Sequence, residues 1–168
     1  EDEVWRKISD DDFHRVYKGD QSIAWKLWHT ARIEDITMNL LIAGDEQVLN
    51  SGGWFEKMKI TARDTGNAMN KEEIEALSRT IGMQALRGYR LAVALKTRSV
   101  VKALAPEDLK RKIEPSRLKR ISGEGAVVEE ASGIIDYWGG KTYSGLLLMP
   151  ATRHIFVHLN ESLRLLDK

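Results

Sequence analysis

Apolar positions recur along this chain at three- and four-residue intervals, and no stretch alternates apolar and polar residues long enough to predict a strand. The pattern predicts an all-α protein. Its clearest periodic run spans about Ser22 to Ala43, with Ser22 as N-cap and Gly44 just past the end. Trp25, His29, Ile33, Ile36 and Leu40 share one face of that helix. Apolar residues also occupy the neighbouring faces, which predicts burial over much of its circumference. A second long helix starts near Lys71 behind an Asn70 N-cap, and Glu73 completes a capping box. Ile74, Leu77, Ile81, Ala85 and Tyr89 keep one of its faces apolar as far as about Leu104, with Gly82 and Gly88 weakening the helix without having to break it. Further helices are predicted over Ala126 to Tyr137, ending before Gly139-Gly140, and from Thr142 or Pro150 to Leu166. In the last of these the proline is a kink or a first-turn residue.

The remaining segments are shorter. Glu1 to Ile8 reads as a small helical piece, and Ser9 or Asp10 can cap a further turn, with His14 solvated among charges beside Arg15. Residues 44–70 form an irregular excursion with a turn at Asn50-Ser51-Gly52-Gly53 and three large apolar residues, Trp54, Phe55 and Met58. Its length suggests that it borders a site or an interface. Pro106 opens a short helical piece through Leu109, and Pro115 interrupts again. Lys110-Arg111-Lys112 and Arg117, Lys119 and Arg120 make the one basic cluster. It has no interleaved aromatics and acids flank it, so it reads as a solvated helical face and not as a nucleic-acid surface. With no internal repeat and no clear boundary, three or four core helices are expected in one domain, residues 1–168.

Composition narrows the chemistry. The 168 residues suffice for a substantial core, and 26 basic against 25 acidic residues argue for neither a nucleic-acid nor a membrane partner. No apolar run approaches the roughly 20 residues that span a bilayer. No signal-peptide pattern opens the chain, and its first residue, Glu1 instead of Met, suggests a trimmed N-terminus. A cytoplasmic location is expected. Cysteine is absent, which excludes disulfides, thiolate zinc sites and a cysteine nucleophile. No Gly-x-Ser-x-Gly elbow and no glycine-rich phosphate loop is present. A metal would have to be held by imidazole and carboxylate, and the chain has four histidines: His14, His29, His154 and His158.

In Thr152–Leu159, a helix puts His154 and His158 one turn apart on one face, together with Ile155, Leu159, Leu165 and Leu166. Arg153, Asn160, Glu161 and Arg164 point away. A buried imidazole must find a hydrogen bond, a charge or a metal, because leaving it unpaired costs on the order of 1–3 kcal/mol. Satisfied core histidines remain one reading. The other joins them to His29 on the facing helix, since side chains of a bundle can converge on one ion. Three imidazoles leave at least one position for water or substrate, as in catalytic zinc sites, and zinc or nickel suits them better than copper(I). Glu34, Asp35 and Glu161 follow the histidines closely enough to orient them by hydrogen bonds. Glu34 and Asp35 turn away from His29, however, so a structural or surface role is expected for both.

Ser22-Ile23-Ala24-Trp25-Lys26-Leu27-Trp28-His29-Thr30-Ala31-Arg32-Ile33-Glu34-Asp35 resembles the second-helix signature of the DinB-like superfamily. Tyr137-Trp138-Gly139-Gly140-Lys141-Thr142, Pro150-Ala151-Thr152-Arg153-His154 and His158-Leu159-Asn160-Glu161 resemble its C-terminal signature. The resemblance implies an up-down four-helix bundle, often dimeric, and hence an expected homodimer. It also implies a divalent metal held by one histidine of the second helix and two of the last, here His29, His154 and His158. The family's helix before Ser22 is represented only by its tail, so a short or partly missing first helix is expected. Relatives include S-transferases that use low-molecular-weight thiols such as bacillithiol, and maleylpyruvate isomerase. Two classes of function stay open: a metal-dependent enzyme, a thiol S-transferase or hydrolase acting on a small molecule, and a binding or stress-response module whose metal is structural or sensory.

Overall fold

The structure, a computed structural model, describes residues 1–17 and 21–167; Lys18 to Asp20 and Lys168, at the edges of elements expected within the 1–168 span, lie outside the described residues. The chain opens with two short helices, α1 (Asp2–Lys7) and α2 (Asp10–His14), parted at Ile8–Ser9, where the Ser9 hydroxyl accepts from Asp12 N. Before Ser22 the described residues thus form two short helical pieces. Ser22 caps α3 (Ile23–Asp35) by accepting from Trp25 N at 2.8 Å. The rod continues through widened, π-helical turns over Ile36–Ala43 until Gly44, whose φ of 72° ends it in the left-handed region. The excursion that follows holds a 3-10 turn at Val48–Asn50 and a short α4 (Trp54–Met58).

Two predicted helices come out differently. The run from Lys71 is two helices, α5 (Lys71–Thr80) and α6 (Met83–Ala103), separated by extended backbone at Ile81 and Gly82. The expected capping box at Asn70 and Glu73 is formed. The break exchanges a local bond for a tertiary one: Gly82 N donates to Met58 O at 3.1 Å, and Ile81 drops fully into the core. Gly88 sits inside unbroken α6. The predicted helix over 126–137 loses its first half. After the 3-10 turn Pro106–Lys110 comes α7 (Pro115–Gly123), and Gly125 at φ 64° reverses the chain so that Ala126 N caps the end of α7 on Ile121 O at 2.9 Å. Ala126 and Val127 are therefore buried as loop residues, and α8 covers only Gly133–Gly139.

The last rod starts at the Thr142 N-cap and runs as α9 (Tyr143–Leu148), π-helical turns at Met149–His154, and α10 (Ile155–Leu166). Pro150 offers no N–H and crowds the carbonyl four residues back. The widened turn absorbs that conflict, so the proline neither starts nor breaks the rod.

Among the described residues there is no strand, and the protein is an all-α helical bundle. α3 is its spine, with α6 and α10 packed against it and every residue from Ile23 to Asp35 buried. Two apolar clusters follow the spine. One gathers Phe13, Ile23, Leu27, Trp28, Leu86 and Val93; the other gathers Ile36, Leu40, Leu41, Ile121, Trp138 and Leu146. Each fully buried side chain of this size contributes about 1.5–3 kcal/mol relative to exposure. Between the clusters lies a polar belt. Arg32 pairs with Asp35 at 3.0 Å, Tyr89 OH donates to Asp35 at 2.7 Å, and Arg90 pairs with Glu34 at 2.8 Å and with Glu1 at 2.7 Å. Of the two roles open to Glu34 and Asp35, structural or surface, the structure selects the structural one.

Two surface expectations also change. In the basic cluster, Arg117 donates to Leu41 O and Ile42 O, and Arg120 to Gly44 O and Asp45 O. These arginines satisfy the open carbonyls at the end of the first long rod and are not simply solvated. His14 is half-buried, with its Nδ1 2.5 Å from Ser78 O.

Candidate metal centre

His29 lies nearly two turns inside α3, while His154 closes the widened turn and His158 follows one α-helical turn later. The packing of α10 and the widened turn on α3 brings the three rings together. Centroids are 5.0 Å apart for His29 and His154, 5.4 Å for His29 and His158, and 4.7 Å for His154 and His158. One nitrogen from each lies within 4.8 Å of the others, and the trio can hold a metal ion. His14 bonds elsewhere and is not part of it.

Hydrogen bonds select which nitrogen faces inward. His29 Nδ1 is 2.5 Å from Thr65 O, and a carbonyl only accepts, so Nδ1 carries the proton and Nε2 the lone pair. His158 Nδ1 donates to Glu161 Oε2 at 3.0 Å, which leaves its Nε2 bare. That carboxylate oxygen also accepts from Lys26 Nζ at 2.7 Å, and Lys26 donates to Gln21 Oε1 at 2.7 Å. Glu161 therefore turns toward the histidine face and not away from it, one i,i+3 step from His158. Burial would raise its carboxyl, but the Lys26 ammonium and His158 outweigh that and hold it below the ordinary range. His154 has no such anchor: its Nδ1 is buried without a partner among the described residues.

His29 Nε2 and His154 Nε2 are 3.2 Å apart. Two nitrogens bound to one zinc at about 2.0–2.1 Å and a tetrahedral angle stand about 3.3 Å apart, so this pair already has the spacing of two ligands of one ion. Protonation also fits, since imidazole binds metal only when neutral. Desolvation lowers His29 to about 3 and His154 to about 4, and desolvation likewise lowers His158.

The walls come from α3 and the excursion. Trp25 stacks on His29 with centroids 4.6 Å apart and planes 6° from parallel, and meets His158 edge-on at 6.3 Å. Gly66, next to the Thr65 carbonyl, has a φ of 76°, and a Cβ there would come within 2.5 Å of Trp28 Cζ3. Only glycine lets this backbone lie against the two tryptophans. A cavity of about 760 Å³ borders the same excursion, lined by Lys59, Ala62, Asp64, Met69, Glu73 and Val128 among others; neither Trp25 nor the three histidines line it.

A family model described as the DinB superfamily matches residues 2–129. The chain belongs to the DinB superfamily. Of the three histidines, the matched span holds only His29, so His154 and His158 enter through the geometry of the last rod and not through the family match. No curated protein matches the chain. Membership and the histidine cluster together fit a metal-binding protein, and no described helix is long and apolar enough to cross a membrane.

Lys26 and Thr65 were not visible in the sequence as parts of this site. Thr65 acts through its backbone, which no side-chain pattern reports, although Asp64-x-Gly66 is a turn signal, and Asp64 does accept from Gly66 N at 2.6 Å. Lys26 is an ordinary charge until α10 brings Glu161 beside it.

Proposed function

We propose that this DinB-superfamily protein is a metal-dependent enzyme holding zinc or nickel through His29, His154 and His158, and transferring a low-molecular-weight thiol to an electrophile. The observation that carries the reading is the 3.2 Å approach of two Nε2 atoms whose rings are held neutral in a buried setting. When bound, such an ion supplies a Lewis acid that draws down the pKa of a thiol or water ligand. Three protein ligands leave room for that group, and the chain has no cysteine to act as its own nucleophile.

The protein's residues bind and orient. Thr65 O and Glu161 hold the Nδ1 protons of His29 and His158, which keeps both Nε2 lone pairs directed at the shared space. Lys26 keeps Glu161 ionised beside His158. Trp25 closes one flank of His29 and excludes water from its ring face.

The test is metal analysis of protein purified without added metal or affinity resin, followed by an assay of metal-loaded protein against a panel of thiols and electrophiles. Stoichiometric zinc or nickel and thiol transfer that disappears in His158→Ala are expected. Metal uptake without turnover for any thiol would favour a structural or sensory ion, and equal turnover in His158→Ala would refute the proposed site.

A further inference from the structure

We propose that Arg32 is a positioning residue for His29, acting through residues 63–66, so that zinc affinity depends on a side chain that hydrogen-bonds none of the three rings. The inference rests on the three-histidine reading above. The carbonyls of Arg63 and Thr65, two residues apart, are both received by α3: Arg63 O by an Arg32 terminal nitrogen at 2.8 Å, Thr65 O by His29 Nδ1 at 2.5 Å. Arg32 and His29 stand three residues apart and thus neighbour each other on the helix surface. Residues 60–65 belong to no helix, so these carbonyls have no helical partner and depend on such side chains.

Arg32 is built to hold this segment. It is fully buried, and its two terminal nitrogens divide their bonds between belt and excursion. One donates to Asp35 at 3.0 Å and Tyr89 OH at 2.7 Å; the other donates to Gln47 Oε1 at 2.6 Å and Arg63 O. Asp35 grips the excursion from the same helix, accepting from Val48 N at 2.8 Å and Leu49 N at 2.9 Å. On its inner side the segment cannot move closer, because Gly66 already rests on Trp28 and Trp25. Arg32 stops it from moving out. If Arg63 O is released, Thr65 O retreats and His29 Nδ1 loses its acceptor. The ring proton is then free to occupy Nε2, the nitrogen that must be bare to bind an ion.

The experiment compares wild type, Arg32→Lys and Arg90→Lys. Lysine at 32 retains a charge for Asp35 and lacks the second nitrogen that reaches Gln47 and Arg63. Arg90 is buried in the same belt but bonds Glu34 and Glu1, away from residues 63–66. Zinc affinity is read by competition with a chromophoric chelator, and the His29 tautomer in metal-free protein by long-range proton–nitrogen NMR. Arg32→Lys should bind zinc about 10–100-fold more weakly and show a mixed His29 tautomer, whereas Arg90→Lys should match wild type in both. An unchanged Nδ1–H tautomer with wild-type affinity in Arg32→Lys overturns the inference, as does an equal loss in both variants. Should Arg32→Lys fail to fold, Gln47→Ala, which removes one of the two excursion partners, should weaken zinc binding by about 3–10-fold and mix the tautomer; no change in either overturns it equally. If wild-type protein takes up no zinc, the metal reading fails by itself and the tautomer measurement alone decides the role of Arg32.

Discussion

Replacing Asp35 by alanine removes the acceptor of five hydrogen bonds at one fully buried point. Oδ1 accepts from Asn39 Nδ2 at 2.7 Å and Val48 N at 2.8 Å; Oδ2 accepts from Arg32 at 3.0 Å, Leu49 N at 2.9 Å and Tyr89 OH at 2.7 Å. Among the described residues, the variant leaves the Arg32 guanidinium, also fully buried, hydrogen-bonded to neutral partners only, with Asp64 still acting on it as a charge without a hydrogen bond. Stranding one member of a buried ion pair costs about 3–5 kcal/mol, a large share of the roughly 5–15 kcal/mol that holds a domain together. At this chain length about 2–4 °C is lost per kcal/mol, so Tm should fall by about 6–20 °C. Glu34→Gln is the control, because Arg90 then keeps the Glu1 carboxylate through two bonds of 2.7 and 3.1 Å. Its expected cost is about 1 kcal/mol. Urea unfolding followed by tryptophan fluorescence measures both. An Asp35→Ala variant within about 1 kcal/mol of wild type, or no worse than Glu34→Gln, would refute the view that this belt binds the excursion to α3.

Three further outcomes are expected. Metal-free protein should lose stability as pH falls below about 6.5, because the unfolded chain takes up protons there while folded His29 and His154 resist them down to about 3 and about 4. Each can contribute up to about 2 kcal/mol between pH 6.5 and pH 5, and urea titrations of His29→Gln/His154→Gln should show a flatter pH dependence; an unchanged slope would contradict the assignment. A chelator should lower the Tm of wild type but not of His154→Ala, since an ion at a hundredfold excess over Kd stabilises by about 2.7 kcal/mol; equal shifts would mark an unrelated chelator effect. Glu161→Gln should weaken zinc binding by about 10–100-fold and also lower metal-free Tm, because buried Lys26 loses its carboxylate partner, and calorimetric titration giving wild-type affinity would remove Glu161 from the site.

Much of the local architecture was legible in the sequence, because capping and turn chemistry act over a few residues. Ser22 and Gly44 bound the first long rod, and the Asn70–Glu73 box starts α5, as their side chains and backbone freedom require. His29, His154 and His158 could be grouped because each stood on an apolar helical stripe in a chain with no cysteine, and the resemblance to the DinB-like superfamily implied them as a ligand set. Other features depended on partners distant in sequence. Gly82 breaks a helix that its neighbours favour because Met58 O, 24 residues earlier, takes its N–H. Ala126 leaves helical geometry because Ile121 O needs a cap. Only the docking of the last rod on α3, 125 residues away in sequence, sets two imidazole nitrogens 3.2 Å apart and places Glu161 between His158 and Lys26. Sequence spacing fixes which side chains share a face of one helix; which faces meet is set by burying both apolar clusters and satisfying the charged belt between them, and both are properties of the packed chain as a whole.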